Sequence, residues 1–456
     1  MRFSQLEGGR IGVWGAGREI VSFADQLARR LPSAQIVVAA FDADPTVDVR
    51  ETLKAPAARI VTAADDDLMA VLAGCEVVVR SPGVSIHRPE MRALREAGVP
   101  VTTATALWLA ERGGAGVVGV TGTKGKSTTA ALLAHLVRAA GRTAHLAGNI
   151  GVPALDLLDA EPADVTVVEL SSYHTADLEV GPEVALVTNL FKEHTDWHGS
   201  EDAYRAEKLR LLGLRGVRVG VINGGDEQLT AAVGARAGTD PTTSVETRLF
   251  GVPGGWDVVD GAVVVGDEHV VEIAELPLPG VHNALNLCAA LTAASVFGIL
   301  PPPLPVSLSG FHPLPHRLEI VAERDGVLWV DDSISTTPES TLAALASFPG
   351  RAIVLIGGGQ DRGQDYGALG RTLAAVGADV IGVPSTGSRL VTAARNAGLE
   401  AARAITASDL RAAVLDARRV GRPGAVVLLS PAAPSYDNYR NFEERGELFR
   451  KLAECP

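Results

Sequence analysis

Gly119-Val-Thr-Gly-Thr-Lys-Gly-Lys-Ser-Thr128 follows an apolar run, Gly116–Val120, and opens a helical pattern from about Lys126 to Ala140. A strand, a glycine-rich turn and a helix in that order make an anion site. The helix start offers unpaired N–H groups and the positive end of its dipole. Gly122 and Gly125 let the backbone wrap a phosphate with no Cβ in the way. Lys126 supplies a mobile charge for β- and γ-phosphates, and the Ser127 hydroxyl suits Mg²⁺. Gly119 to Gly125 spans six positions where an ordinary P-loop has five, so a variant loop fits better than a standard P-loop NTPase.

Outward from this loop, strand-like runs alternate with helical patterns, the signature of parallel α/β units. Arg10–Val13, Gln35–Phe41 and Val77–Arg80 precede it; Val165–Leu170, Val184–Asn189 and Val217–Asn223 follow. A patch from Arg248 to Glu275, with turns at Pro253-Gly254-Gly255 and Asp260-Gly261, reads as short antiparallel strands. Pro301–Pro303 and Pro313–Pro315 read as a linker. Strands at Val327–Asp331, Ala352–Ile356, Val380–Gly382 and Ala425–Leu429 form a last block. The expected fold class is α/β in three domains: a Rossmann-like domain over 1–108, a P-loop-type domain with a parallel sheet over 109–313, and a Rossmann-like domain over 314–456.

Composition narrows the function classes. The 456 residues are 46% hydrophobic, 21% charged and 4% aromatic, too long for one ordinary core. A net charge of −13 argues against nucleic acid as a partner. No run is long enough for a membrane helix, and the polar start, Met1–Arg10, reads as running straight into a strand rather than as a signal peptide. Cys75, Cys288 and Cys455 fit neither a disulfide framework nor a zinc spacing, so the cytoplasm is the expected compartment. Only six of the 41 basic residues are lysine: Lys54, Lys124, Lys126, Lys192, Lys208 and Lys451.

The loop resembles the T-G-[TS]-[NK]-G-K-[ST]-T signature of Mur ligases and folylpolyglutamate synthetases. The resemblance continues in order through Asn149-Ile-Gly-Val-Pro153, Glu169-Leu-Ser-Ser172, Thr188-Asn189 with His194 and Asp196, and Tyr204-Arg-Ala-Glu-Lys208. It runs on through His282-Asn283-Ala-Leu-Asn286, His316-Arg317-Leu-Glu319, Asp332-Ser333, Gly357–Arg362 and Ser430-Pro431 to Arg445-Gly446. It covers the whole chain and is most similar to the Mur ligases that add glutamate to UDP-N-acetylmuramoyl-L-alanine.

That resemblance implies an ATP-dependent, ADP-forming ligase, expected to act as a monomer with two Mg²⁺ ions. Gly122, Thr123, Lys124, Gly125, Lys126, Ser127 and Thr128 would cradle ATP; Asn283 and Asn286 would read adenine, and Arg317 and Asp332 would grip nucleotide. Ser127, Glu169, His194 and a carbamylated Lys208 would hold the metal ions. Lys126, Glu169, His194 and Lys208 form the implied catalytic set. Gly12-Val-Trp-Gly15-Ala16-Gly17 alone is a weak dinucleotide fingerprint, with Ile20 where the last glycine would stand. In this family the loop would instead cradle UDP through Gly15, Ala16, Gly17, Arg18 and Asp42, opposite Ser81, Pro82 and Gly83. Asn149 and Ser171 would also face that substrate. Thr336, Arg362, Ser435, Tyr436 and Phe442 are the implied glutamate contacts. Closure of the third domain onto the second is expected before chemistry.

The chain departs from the family pattern where the amino acid binds. Ile334 and Arg362 stand where lysines are usual, and Tyr173-His174 replaces Phe-Gln. D-glutamate is the family default, but a branch with a similar first loop uses L-glutamate with a partner epimerase. Both stay open on the sequence. A folylpolyglutamate synthetase is a weaker alternative, because it should lack the UDP-type domain. An oxidoreductase would rest on Gly12–Gly17 alone.

Overall fold

Runs such as Val77–Arg80, Val117–Thr121 and Val165–Glu169 are buried along their whole length. That is the pattern of strands covered by helices on both faces of a parallel sheet. The structure is a computed structural model; it describes residues 1–15, 17–40, 59–62, 68–190, 201–237, 245–278, 280–312, 315–361 and 363–455. Two units emerge, Met1–Leu276 with Val281–Phe311, and Pro277–Gly280 with His312–Pro456.

The first unit holds two parallel sheets. Strands β1 (Arg10–Trp14), β2 (Gln35–Ala40), β3 (Arg59–Thr62), β4 (Val77–Arg80) and β5 (Val101–Thr102) lie in the order β3-β2-β1-β4-β5. The second comprises β6 (Val117–Thr121), β7 (Ala144–Gly148), β8 (Val165–Glu169), β9 (Val184–Val187), β10 (Val219–Asn223) and β11 (Glu246–Phe250). Its order is β11-β10-β9-β6-β8-β7, so the strand order reverses beside β6. Open α/β sheets bind ligands at the carboxyl ends of strands at such a switch point. A small antiparallel sheet, β12 (Trp256–Val259), β13 (Ala262–Val265) and β14 (Glu268–Glu272), follows.

One apolar core runs from Ile11, Phe23 and Leu27 through Leu107 and Trp108 to Leu155, Leu170 and Val187. Full burial of each large side chain contributes roughly 1.5–3 kcal/mol, so this shared core joins the two sheets firmly. Helix Arg18–Arg30 adds polar ties to the central block: Ser22 Oγ donates to Asp156 at 2.6 Å and Gln26 Nε2 to Asp159 at 2.8 Å. Helix Ala104–Arg112 runs through residue 108, inside this unit.

The second unit is a six-stranded sheet ordered β15-β16-β20-β17-β18-β19. Its strands are β15 (Glu319–Arg324), β16 (Val327–Asp331), β17 (Ile353–Gly357), β18 (Asp379–Gly382), β19 (Ala404–Thr406) and β20 (Val426–Leu429). Only β15 pairs antiparallel, on the edge.

Several expectations need correction. The antiparallel patch starts at β12 and not at Arg248, because Arg248–Phe250 belongs to β11, which pairs parallel with β10. From Thr247 to Phe250 that edge strand alternates exposed and more buried positions, which imitates an antiparallel pattern. Between the two proline runs lies a one-turn helix, Leu304–Leu308. The chain does not enter β1 directly: a 3₁₀ turn, Phe3–Leu6, comes first and buries Phe3 edge-on against Phe23. Strands β3, β5, β7, β15 and β19 were not foreseen; all are short or at a sheet edge.

Candidate active site

The loop after β6 lies between the carboxyl ends of β8 and β9. Gly122 and Gly125 both have positive φ, +137° and +81°. A Cβ at Gly122 would overlap the Thr188 hydroxyl and stand 3.0 Å from the Thr188 nitrogen; one at Gly125 would overlap the Asn286 amide. Gly125 caps helix Lys126–Ala139, so the first-turn N–H groups point to where a phosphate would rest. The turn is anchored from β9: Thr123 N donates to Asn189 O at 2.9 Å and Lys124 N to Asn189 Oδ1 at 2.8 Å. Thr188 Oγ1 donates to Lys124 O at 2.6 Å, and Lys126 Nζ to Thr123 O at 2.8 Å. Ser127 and Thr128 are buried in the first helical turn.

Glu169 ends β8 and is only 1% exposed. Its Oε1 accepts from Asn149 Nδ2 at 3.0 Å, while its buried Oε2 has no hydrogen-bond partner among the described residues. A desolvated carboxylate oxygen with nothing to satisfy it suits a hard cation. Lys208, on helix Glu201–Arg210 and 2% exposed, donates to Gly122 O at 2.7 Å. The loop, Glu169 and Lys208 are thus brought together. Asn286 and Asn283 are buried and hydrogen-bonded to each other at 3.3 Å, and Asn286 Oδ1 accepts from Thr129 at 3.3 Å. Asn286 therefore braces the phosphate loop from helix Val281–Val296.

At the N-terminal end, Gly15 has φ +101° and a Cβ there would meet Ser81 Cβ at 2.7 Å. The glycine loop and the Ser81-Pro82-Gly83 wall therefore face each other at the switch between β1 and β4. Arg18 turns to the central block, donating to the carbonyls of Gly148, Asn149 and Gly151 at 3.0–3.1 Å. Two buried connections were missed in the sequence. Arg80, 0% exposed, pairs with Asp177 at 2.7 Å and donates to Pro82 O, Val84 O and Tyr173 O at 2.8–2.9 Å. Burial pushes the Asp177 carboxyl up and the Arg80 guanidinium down, each opposed by its partner. Glu19 accepts from His174 and, at 3.1 Å, from Thr105. Burial alone would raise its pKa, yet the His174 ring and Thr105 hydroxyl hold it below the usual carboxylate range. The only warnings were a cation closing the Val77-Val-Val run and a glutamate in a first helical turn.

In the second unit, Asp332 accepts from Ser430 Oγ at 2.8 Å and from Leu318 N at 3.3 Å. Burial pushes its carboxyl up to about 6, against the pull of Ser335, Ser430 and Arg317. Backbone bonds from Ala432 N to Ser335 O (3.0 Å), Gly358 N to Pro431 O (2.8 Å) and Gln360 N to Pro434 O (2.8 Å) gather the three segments around Ser335, Gly358 and Pro434. Ser435 is buried, Tyr436 is 60% exposed, Thr336 is half-buried, and the Phe442 carbonyl accepts from Ser333 Oγ at 2.8 Å. Ala16, Asp42, His194, Asp196 and Arg362 lie outside the described residues.

An anion-cradling loop, a buried carboxylate and a buried lysine thus gather at one sheet switch point. Residues 120–294 match the family model of the Mur ligase middle domain, and 316–433 that of the Mur ligase glutamate ligase domain. Relatives from Micromonospora sp. and Salinispora tropica are each 44% identical, over 98% of this chain and 97% and 98% of theirs. One from Xanthomonas euvesicatoria is 40% identical over 99% of this chain and 97% of its own. All three are named UDP-N-acetylmuramoyl-L-alanine–L-glutamate ligase. The solved UDP-N-acetylmuramate–alanine ligase of Thermotoga maritima shares the fold at 18% identity and TM-score 0.59, covering 97% of this chain and 98% of that one. A MurF ligase of the same organism, solved with ADP, does so at 18% and 0.57, covering 92% and 95%. The chain belongs to the Mur ligase family.

Proposed function

We propose that this chain joins L-glutamate to the alanyl carboxylate of UDP-N-acetylmuramoyl-L-alanine, converting ATP to ADP and phosphate in peptidoglycan precursor synthesis. The observation that carries the reading is the meeting of the Gly122–Thr128 cradle, the unsatisfied Glu169 oxygen and Lys208 around one strand end.

The γ-phosphoryl group passes to the alanyl carboxylate, giving an acyl phosphate. The glutamate amine then attacks the carbonyl carbon, and the tetrahedral intermediate expels phosphate. Lys126 and the first-turn N–H groups orient the phosphates and neutralise their charge. Mg²⁺, when bound, supplies further neutralisation; Glu169, Ser127, His194 and a carbamylated Lys208 would hold two ions. The Asn189 anchors keep the loop from relaxing, and Asn149 fixes the bonded half of Glu169. The UDP moiety would lie between the Gly15–Gly17 loop and Ser81–Gly83, with 1–108, 109–313 and 314–456 as the three working domains. Chemistry in the cytoplasm follows from the nucleotide substrates.

Two features support L- over D-glutamate: the names of the relatives above, and Ile334, an apolar residue where a lysine would serve the α-carboxylate. An L-glutamyl product would need an epimerase downstream. The test offers each glutamate enantiomer with the UDP substrate and ATP, then resolves the product's stereochemistry. Phosphate release with neither acceptor present would defeat the ligase reading, and turnover of D-glutamate alone would defeat the enantiomer.

A further inference from the structure

Ser171 begins the turn after β8, two residues beyond Glu169, and caps the short helix Ser172–Thr175. Its backbone N–H donates to His174 Nδ1 at 3.2 Å, and its hydroxyl lies 2.6 Å from the same nitrogen. An N–H pointing at Nδ1 makes that nitrogen an acceptor, so the ring's proton is on Nε2. Nε2 in turn faces Glu19 Oε1, whose other oxygen accepts from Thr105. His174, Glu19 and Thr105 are all buried, and they come from three separate elements.

With Nδ1 an acceptor, the Ser171 hydroxyl hydrogen is committed to it. Ser171 Oγ also accepts from His174 N at 3.3 Å, which leaves one lone pair for a ligand. The hydroxyl can then only accept from that ligand. A hydroxyl free to rotate would offer either polarity.

We infer that Glu19 and His174 are positioning residues which fix the Ser171 hydroxyl as an acceptor for an N–H or O–H donor of the UDP-sugar-peptide substrate. This rests on the proposed ligase function, which supplies the substrate. Glu19 holds the Nε2 proton, His174 passes that polarity to Ser171, and Thr105 keeps the carboxylate in place. The relay also ties the start of helix Arg18–Arg30, beside the proposed UDP loop, to the strand end that carries Glu169.

The test measures binding of UDP-N-acetylmuramoyl-L-alanine by calorimetry, with KM for that substrate and for ATP, in the full chain and in S171A, H174A, H174Q, E19Q and S171A/H174A. One well-placed hydrogen bond contributes about 1–1.5 kcal/mol, so S171A and H174A should each weaken acceptor binding about tenfold. The ATP KM should stay level. The double variant should bind no worse than S171A, because both changes act through one hydroxyl. H174Q should recover most of the loss, since a carboxamide can accept from Ser171 and donate to Glu19. E19Q, with the gentlest change of shape, should give a smaller loss in the same direction. Additive losses in S171A/H174A, equal rises in both KM values, or H174A and E19Q binding like the unaltered chain would overturn the relay. Failure of the unaltered chain to bind the UDP substrate would instead overturn the ligase reading, and the relay with it.

Discussion

Gly122→Ala isolates the geometry on which the phosphate centre depends. Gly122 has φ +137°, outside the range an L-residue adopts without strain, and the new Cβ would overlap Thr188 Oγ1 while standing 3.0 Å from Thr188 N. Left-handed backbone costs about 1–2 kcal/mol. The Thr188 hydroxyl cannot stay put, so its 2.6 Å bond to Lys124 O is lost as well, at about 1 kcal/mol. A destabilisation of about 2–3 kcal/mol follows, enough to lower the melting temperature by several degrees. The functional effect is larger, because Lys124 and Lys126 lie on the same turn and a shift of about 1 Å at a reacting centre costs on the order of 10²-fold. The assay pairs calorimetric ATP binding with kcat/KM for ADP formation. Thr188→Ala gives the internal control: alone it costs only the hydrogen bond, and in the Gly122→Ala background it removes part of the clash but none of the φ strain. G122A/T188A should therefore recover some stability and little activity. A Gly122→Ala enzyme with unaltered ATP affinity and melting temperature would refute the cradle.

Three further outcomes follow from buried charge. Lys208→Arg removes the buried amine beside Gly122 that is proposed to take up CO₂; the unaltered enzyme should lose activity in CO₂-depleted buffer and regain it with bicarbonate, and K208R should ignore both, so full activity after depletion argues against a carbamate. Asp332 has its folded pKa raised from 3.8 to about 6, so the folded state holds the proton more tightly and stability falls as pH climbs between those values. At about 1.4 kcal/mol per unit the cost at pH 7 is about 3 kcal/mol, and D332N should melt higher than the unaltered chain at pH 7 with the gap closing towards pH 4; a gap that does not vary with pH contradicts this. Arg80→Ala leaves the buried Asp177 unpaired at a cost of about 3 kcal/mol, the low end of the usual range because Arg95 and Arg210 also act on that carboxyl; R80M/D177L should cost less, and an R80A no less stable than that pair would show the ion pair to be idle.

How legible each feature was depends on how local its cause is. The phosphate cradle is contiguous: a buried valine run sets β6, two glycines supply positive φ, and Lys126 to Thr128 begin the next helix. Everything needed stands within the twelve residues Val117–Thr128. Edge elements were harder, since β11 and β15 are half exposed and their patterns do not say which partner they pair with. Hardest were polar pairs made by the fold. Glu19 and His174 are 155 positions apart, and Arg80 and Asp177 are 97 apart. His174 was visible only as a departure from the usual Phe-Gln, which located a difference and left its partner hidden.

The glutamate end was the least legible, and its packing explains why. Arg445 is buried, and its guanidinium donates to Ser333 Oγ and O and to the carbonyl of Ala433, with Gly358 O at 3.5 Å. Burial pushes its pKa down to about 10, so it stays charged at neutral pH. One structural cation thus holds together three loops that the family pattern gives to amino-acid recognition. Gly446 beside it has no room for a side chain, because a Cβ would overlap His316. The scaffold is held by atoms other than the side chain at position 334, whose backbone N–H donates to His316 O at 3.2 Å. These bonds are made by backbone atoms, Arg445 and the Ser333 hydroxyl, so none of them uses the side chain at 334. Family-level motifs thus identify the ligase and do not by themselves identify the glutamate.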